Sequence, residues 1–231
     1  MFNILKFKDC SNLLDKNCNL TSANYLYLYQ TEMINTFKIF LVIAVFIFSA
    51  CSVSKDAHKR EVQLLQKGKL ADDTSYIYSL PYEKGNSHLL IQGYYGIFSH
   101  KNRVSLDLTM KRGTKIHAVR DGIVIRARED NTKGGFSKKY RDFANYIIIQ
   151  HSDGTRAGYW HLQQNGVLVG IGDRVKQGQL IAISGKTGYA AIPHLHFFVW
   201  GYRNGRWQQI PTRFRTSNGI KFLRPWRKYR W

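Results

Sequence analysis

The stretch NYIIIQHSDGTRAGYWH, residues 145–161, predicts a β-hairpin. Two short runs rich in Ile, Tyr and Trp, residues 146–151 and 156–161, flank the turn sequence Ser152-Asp153-Gly154. An Asp-Gly pair tolerates the positive φ angles that tight hairpin turns require. Similar β-rich runs recur from Tyr76 onward, separated by Gly, Asp and Asn, and helical periodicity is absent from this part of the chain. The sequence therefore predicts an all-β domain with long surface loops.

The composition of the 231 residues excludes a disordered chain and a fibrous repeat, because 44% of them are hydrophobic and 22% are charged. The 35 Lys and Arg residues against 15 Asp and Glu give a formal charge of +20, which favours anionic partners such as nucleic acid, anionic lipid or bacterial envelope polymer. Cys10, Cys18 and Cys51 all precede the β-rich region. That region therefore has no cysteine nucleophile, cysteine zinc ligand or internal disulfide.

Residues 39–50, IFLVIAVFIFSA, form an apolar run between Lys38 and Cys51. Twelve residues are too few for a bilayer-spanning helix, which needs about 20, but they fit the apolar core of a secretory signal peptide. The sequence Phe48-Ser49-Ala50-Cys51 resembles a bacterial lipobox, in which a cysteine receives diacylglycerol. We therefore expect residues 33–51 to be a lipoprotein signal peptide, with Cys51 anchoring the exported protein to membrane lipid in the bacterial cell envelope. A buried core helix or an uncleaved anchor is the alternative.

The residues on either side of this segment are polar. Met33 begins a more typical signal-peptide N-terminus than Met1, so we interpret residues 1–32 as an erroneously assigned start region. Residues 52–75 are highly charged and predict a tether, partly helical around residues 60–70, that holds the following domain away from the membrane.

Four histidines and one aspartate are the candidate reactive groups. His194 and His196, in the segment PHLHF, lie on the same face of a predicted strand because side chains alternate with a period of two. Such a pair suits one metal ligand and one neighbouring acid/base group, but an isolated His-x-His is a weak signal. The prediction of a metal site is strengthened by His100 and Asp107, which are seven residues apart, and by His161 at a predicted strand end. A catalytic zinc takes three N/O protein ligands and leaves a fourth position open.

Together these segments resemble the lysostaphin-type (LytM-type) zinc metallopeptidases, which cut peptide cross-links in bacterial peptidoglycan. The resemblance covers about residues 98–215. Its landmarks, in chain order, are Ser99-His100, Asp107, residues 113–124, 145–151, 153–162, 172–179, 184–188 and 193–197.

The resemblance implies that His100, Asp107 and His196 hold one Zn²⁺ per chain and that His161 and His194 are the paired catalytic histidines. It also implies a two-sheet antiparallel β fold over residues 76–215, and hydrolysis of peptidoglycan cross-links by a metal-activated water. Which of the two catalytic histidines is the base stays open. Two departures from many members are the seven-residue separation of His100 and Asp107, and Phe198 where Glu is common. The remaining histidines are left outside the site: His58, His88, His117 and His151.

Residues 201–231 contain nine Lys and Arg, seven aromatic residues and no acid. We interpret residues 201–215 as the last strands of the domain and residues 216–231 as a basic aromatic tail suited to anionic wall polymer or lipid. A nucleic-acid partner is disfavoured because the chain contains an export signal. The alternative to an endopeptidase is a catalytically silent wall-binding regulator of another hydrolase, and the sequence does not specify an oligomeric state.

Overall fold

The computed structural model describes residues 29–36, 38, 56–72 and 75–231, and the chain divides into two units, Met1–Lys55 and Asp56–Trp231. In the first unit, residues 29–36 and 38 are helical. The described residues contain no helix that is both long enough and apolar enough to span a membrane. Cys51, residues 1–28, the apolar run 39–50 and residues 52–55 of the expected tether lie outside the described residues.

The second unit begins with one helix, α1 (Ala57–Gln66), and otherwise consists mainly of β-strands. A 3-10 helix, Lys138–Phe143, interrupts the strands. The all-β prediction is confirmed. The strands are β1 (Ile77–Tyr78), β2 (Ser87–Gln92), β3 (Ser105–Thr109), β4 (Lys115–His117), β5 (Gly122–Arg128), β6 (Gly134–Gly135), β7 (Tyr146–Gln150), β8 (Arg156–Trp160), β9 (Leu162–Val167), β10 (Arg174–Val175), β11 (Leu180–Ser184), β12 (Gly188–Tyr189), β13 (His194–Arg203), β14 (Arg206–Ile210), β15 (Arg213–Thr216), β16 (Gly219–Phe222) and β17 (Arg227–Arg230).

A nine-stranded sheet with the order β10-β5-β7-β8-β13-β3-β2-β17 forms the centre of this unit, and β14 pairs with β13 beyond that path. Two three-stranded sheets, β1-β15-β16 and β4-β11-β9, and a β12-β6 pair accompany it among the described residues. The strand pairs are antiparallel except β1 with β15 and β6 with β12. The expected two antiparallel sheets are thus elaborated by short additional pairings around one large sheet.

The predicted hairpin is formed by β7 and β8, with Ile147 opposite Tyr159. Gly154 lies in the turn with φ +82°, a conformation that glycine adopts without steric cost. Ile147, Ile149 and Tyr159 are fully buried. The alternation seen in the sequence therefore corresponds to one buried face of this hairpin.

Strand β13 separates the core from the functional face of the large sheet. Leu195, Phe197 and Val199 point into the core and are at most 1% exposed. The ring of Phe197 lies 5.3 Å from that of Tyr159 and 5.9 Å from that of Phe214 on β15. The core cluster contains side chains from the large sheet and from both three-stranded sheets. Burying a large apolar side chain of this kind contributes about 1.5–3 kcal/mol.

Residues 56–72 differ from the expected tether because they pack against the strands. Val62 and Leu65, three positions apart and so on one face of α1, are 0% and 2% exposed. Arg203 on β13 forms an ion pair with Glu61 at 2.8 Å, and Gln66 Nε2 donates to the Leu223 carbonyl at 2.8 Å. The folded unit thus begins at Asp56, not at residue 76.

Residues 216–231 also differ from the expected tail, because they supply two strands of the fold. β16 pairs with β15, and β17 pairs with β2 through registers such as Arg227 opposite Leu90. Leu223 is fully buried, and Tyr82 donates its hydroxyl hydrogen to the Tyr229 carbonyl at 2.6 Å. In these two strands the cations are exposed, whereas the aromatic residues Phe222 and Tyr229 are partly buried.

Substituting Val62→Ala tests whether α1 belongs to the folded unit. We expect this change to lower the free energy of unfolding by about 2 kcal/mol, because Val62 is part of the buried core cluster. Chemical denaturation measures the difference. Gln63→Ala, an exposed position on the same helix, is the matched control and should stay within about 0.5 kcal/mol of wild type. Equal stability of the Val62 variant and wild type would contradict the packing of α1.

Candidate metal centre

The register of three neighbouring strands brings the predicted site residues together. On β13, His196 lies opposite Asp107 of β3 on one side and Trp160 of β8 on the other. His161 follows Trp160 directly, and His100 lies in the loop between β2 and β3. His100 and His196 therefore meet although they are 96 residues apart in the chain.

Three ligand atoms form a small triangle at this point. His196 Nδ1 lies 2.7 Å from Asp107 Oδ1, His100 Nε2 lies 3.2 Å from the same oxygen, and the two nitrogens are 3.1 Å apart. Ligands of a tetrahedral zinc with bonds near 2.0–2.1 Å are separated by about 3.3 Å. The three residues are at most 8% exposed. The triangle therefore fits a cation the size of Zn²⁺.

Backbone and amide groups orient these ligands. His100 Nδ1 lies 3.1 Å from the Gly93 carbonyl, so it donates its hydrogen there and leaves the lone pair of Nε2 for the centre. The Gln92 amide donates to Asp107 Oδ2 and to Ser99 Oγ, both at 2.8 Å. Its oxygen accepts from the backbone N–H groups of Phe98 and Ser99. Gln92 thus ties the loop that contains His100 to the carboxylate of Asp107.

The protonation states suit a metal site. Burial raises the pKa of Asp107, but hydrogen bonds with His100 and His196, together with the electrostatic effect of His196 and His194, hold that pKa well below its ordinary range. Burial lowers the pKa of His196, despite the opposing effect of Asp107. The centre thus combines an ionised carboxylate with a neutral imidazole, the forms in which these groups bind metals.

His161 and His194 lie beside the triangle as a pair of imidazoles, with ring centroids 4.6 Å apart. His194 Nε2 is 3.7 Å from Asp107 Oδ1. The Nδ1 atoms lie 2.7 Å from the Thr187 carbonyl for His161 and 2.8 Å from the Ile192 carbonyl for His194. Since a carbonyl accepts only an N–H, each ring has a hydrogen on Nδ1, and the neutral form of each ring therefore has its lone pair on Nε2. The pair can therefore accept protons next to the centre.

The backbone at His161 is unusual, with φ +69°, a left-handed conformation that few non-glycine residues adopt. The positive φ interrupts the strand alternation after Trp160, and the His161 ring lies 5.8 Å from that of His196. Burial and the neighbouring charges of His194 and His196 hold the pKa of His161 well below its ordinary value. Its imidazole is therefore neutral at neutral pH.

Sequence reasoning identified the five converging residues but missed those that hold them. No motif marks Gln92, whose role becomes visible only from its contacts. Thr187 lies within a landmark segment, yet its function was not predicted: its hydroxyl donates to the Leu162 carbonyl at 2.7 Å and accepts from the Asn145 N–H at 3.0 Å. These bonds fix the carbonyl that orients His161.

The remaining histidines lie outside the triangle. His151 is buried with Nδ1 2.7 Å from the Asp121 carbonyl, and His88 Nδ1 lies 2.8 Å from the Thr109 carbonyl. His58 contacts Glu61 at 3.5 Å. His117, on β4, is partly buried. Cys51, the predicted lipidation site, lies outside the described residues.

Comparison with known proteins gives a family match over residues 101–209, described as peptidase family M23. A glycyl-glycine endopeptidase of Staphylococcus capitis, ALE-1, is 41% identical over 97 residues, 42% of this chain and 24% of that protein. The peptidoglycan DD-endopeptidase ShyA of Vibrio cholerae is 35% identical over 91 residues, 39% of this chain and 18% of that protein. The chain thus spans a quarter or less of the length of these curated relatives.

Among solved structures, the catalytic domain of lysostaphin from Staphylococcus simulans is 31% identical, with a TM-score of 0.39. The match covers 54% of this chain and 87% of that domain.

Proposed function

This chain belongs to peptidase family M23 through residues 101–209, and from that premise we propose that it is a zinc-dependent endopeptidase that hydrolyses the peptide cross-links of bacterial peptidoglycan. The curated relatives include proteins named as a glycyl-glycine endopeptidase and as a peptidoglycan DD-endopeptidase. Their names support the choice of substrate.

One observation supports this proposal above the others. His100 Nε2, Asp107 Oδ1 and His196 Nδ1 lie within 3.2 Å of one another, and two further imidazoles adjoin them. We assign His100, Asp107 and His196 as the ligands of one Zn²⁺ per chain. His161 and His194 are assigned as the catalytic pair.

Bound zinc would supply a water ligand with a pKa near 7 and would polarise the scissile carbonyl. Side chains of the protein then carry out the proton transfers. His194 or His161 accepts a proton at its free Nε2 and returns it to the amine nitrogen of the cleaved bond. The Thr187 and Ile192 carbonyls keep both rings in the tautomer that this exchange requires.

The substrate lies outside the cytoplasm, so we also propose that the protein is exported and acts in the bacterial cell envelope. We further propose that Cys51 is acylated and anchors the chain to membrane lipid, because of the sequence Phe48-Ser49-Ala50-Cys51 after an apolar run. Two or more acyl chains give stable anchoring, whereas one chain is marginal. Intact-mass measurement of the N-terminal peptide tests this modification: an unmodified Cys51 contradicts it.

Digestion of purified peptidoglycan sacculi tests the proposed reaction. We expect wild type to release peptide-cleaved fragments that mass spectrometry identifies, and His194→Ala to release almost none, because the variant lacks an imidazole beside the centre. His117→Ala, which lies outside the site, is the matched control and should give the wild-type product profile. Identical profiles from wild type and His194→Ala would contradict the assignment, and binding without products would favour a silent regulator.

A further inference from the structure

A row of aromatic side chains begins at the candidate metal centre and follows the same face of the large sheet. Alternate residues of β13 share one face, so Phe198, Trp200 and Tyr202 continue the line that His196 begins. Neighbouring strands add three more rings. We define the aromatic ridge as Tyr146, Trp160, Phe198, Trp200, Tyr202 and Trp207.

The inner part of the aromatic ridge is in ring contact with the centre. The Phe198 ring lies 5.6 Å from that of the ligand His196 and 5.0 Å from that of Trp160. Trp160 in turn stacks on Tyr146, with centroids 4.6 Å apart and planes inclined by 11°. The space above Gly158 permits this arrangement, because a Cβ there would lie 2.5 Å from Trp160 and 2.8 Å from Phe198.

The outer part extends along β13 and onto β14. Trp200 lies 6.1 Å from Phe198 and 6.5 Å from Trp207, and Tyr202 lies 5.2 Å from Trp207. At about 3.3 Å per strand residue, the distance along β13 from His196 to Tyr202 is about 20 Å. The aromatic ridge is therefore long enough to contact several units of a polymer whose reacting group lies at the centre.

The core does not account for these rings. Leu195, Phe197 and Val199, on the other face of β13, already fill it. Trp200 is 40% exposed and Tyr202 is 77% exposed. Exposed apolar side chains that are contiguous commonly mark a binding site. The contact of the aromatic ridge with the centre associates it with the substrate.

We propose that the aromatic ridge binds the sugar rings of the peptidoglycan glycan strand and so holds that strand beside the peptide to be cut. This inference rests on the proposed function. The C–H groups on the face of a pyranose ring carry partial positive charge and pack favourably on the negative face of an aromatic ring. Arg128 and Arg156 lie 5.5 Å and 5.4 Å from the rings of Tyr146 and Trp207, where guanidinium groups can donate to sugar hydroxyl and acetamido oxygens.

A single-stranded nucleic acid is the other polymer that stacks on aromatic rows, but it also requires a cationic groove that follows its phosphates. In the aromatic ridge, the two arginines instead lie against ring faces at its margins. The ridge also adjoins a centre assigned to peptide hydrolysis, and the peptides of peptidoglycan are attached to sugar. These two features favour the glycan.

Binding to glycan strands from which the peptides have been removed tests the proposal without using catalysis. Calorimetry with the full chain should detect binding by wild type, and Trp200→Ala should weaken it about fivefold to tenfold, the effect of losing one stacked ring. Trp200→Phe should restore most of the affinity. Trp226→Ala, an exposed tryptophan outside the aromatic ridge, is the matched control and should bind as wild type does.

Unchanged affinity in Trp200→Ala, or an equal loss in Trp226→Ala, would overturn the proposal. So would a single-stranded oligothymidylate that wild type binds more tightly than glycan, with the same dependence on Trp200. Cleavage of a sugar-free cross-linked peptide by wild type is measured in parallel. Absent cleavage with Trp200-dependent glycan binding would reject the peptidase assignment alone, whereas cleavage without glycan binding would reject the aromatic ridge alone.

Discussion

Asp107→Asn is expected to eliminate stoichiometric zinc binding and to lower kcat for peptide cleavage by at least about a thousandfold. Asp107 supplies the only negative charge in the assigned ligand triangle, and its Oδ1 lies 2.7 Å from His196 and 3.2 Å from His100. Asn preserves the shape but removes that charge. Elemental analysis of the purified proteins gives zinc per chain, and turnover of a cross-linked peptide gives kcat.

Two controls accompany this variant. Asp142→Asn removes an exposed carboxylate elsewhere and should retain zinc and activity. Chelation of wild type should abolish turnover, and added Zn²⁺ should restore it. A full zinc equivalent in Asp107→Asn, or activity that survives chelation, would exclude the assigned ligand set.

Replacing either neighbouring histidine should separate metal binding from proton transfer. We expect His161→Ala and His194→Ala to retain zinc while kcat falls by about 10²–10⁴, the usual range for removing an acid/base group. Their rings are 4.6 Å apart, so the two groups act on one reaction centre. The double variant should therefore be little worse than the more damaging single variant.

Kinetics and metal content of the same preparations distinguish the outcomes. A variant whose kcat stays within tenfold of wild type would exclude that histidine from proton transfer. Loss of zinc in either variant would instead place its residue among the ligands. Comparison of the two single variants identifies the stronger base, which sequence spacing left open.

The parts of the fold predicted correctly are those specified by neighbouring residues. The Asp153-Gly154 turn and the apolar alternation around it predicted the β7–β8 hairpin, because both signals are local. His194 and His196 share a face for the same reason. The convergence with His100 and Asp107 was expected only from resemblance, since no local signal spans 96 residues. The structure brings all five predicted residues together, and their chemical roles stay predictions.

The parts predicted incorrectly depend on distant partners. The segment from Asp56 to Asp72 is polar enough to suggest a tether, yet Glu61 pairs with Arg203, 142 positions away. Val62 and Leu65 of α1 are buried, and Gln66 donates to the Leu223 carbonyl, so the helix is held by partners that are distant in the sequence. The role of Gln92 at the site could not be predicted for the same reason. Its amide orients Asp107 and the loop of His100 only because of contacts that the fold creates.

The alternation of side chains along β13 makes the hydrophobic core and the candidate metal centre depend on the same strand register. A displacement of this strand by a single residue would exchange its faces, turning Leu195, Phe197 and Val199 outward and His194 and His196 inward. Burial of the apolar residues therefore favours the register of β13 with β3 and β8 that also brings the histidines together. We therefore expect an insertion or deletion within this strand to reduce stability and activity together, whereas the connecting loops should tolerate one.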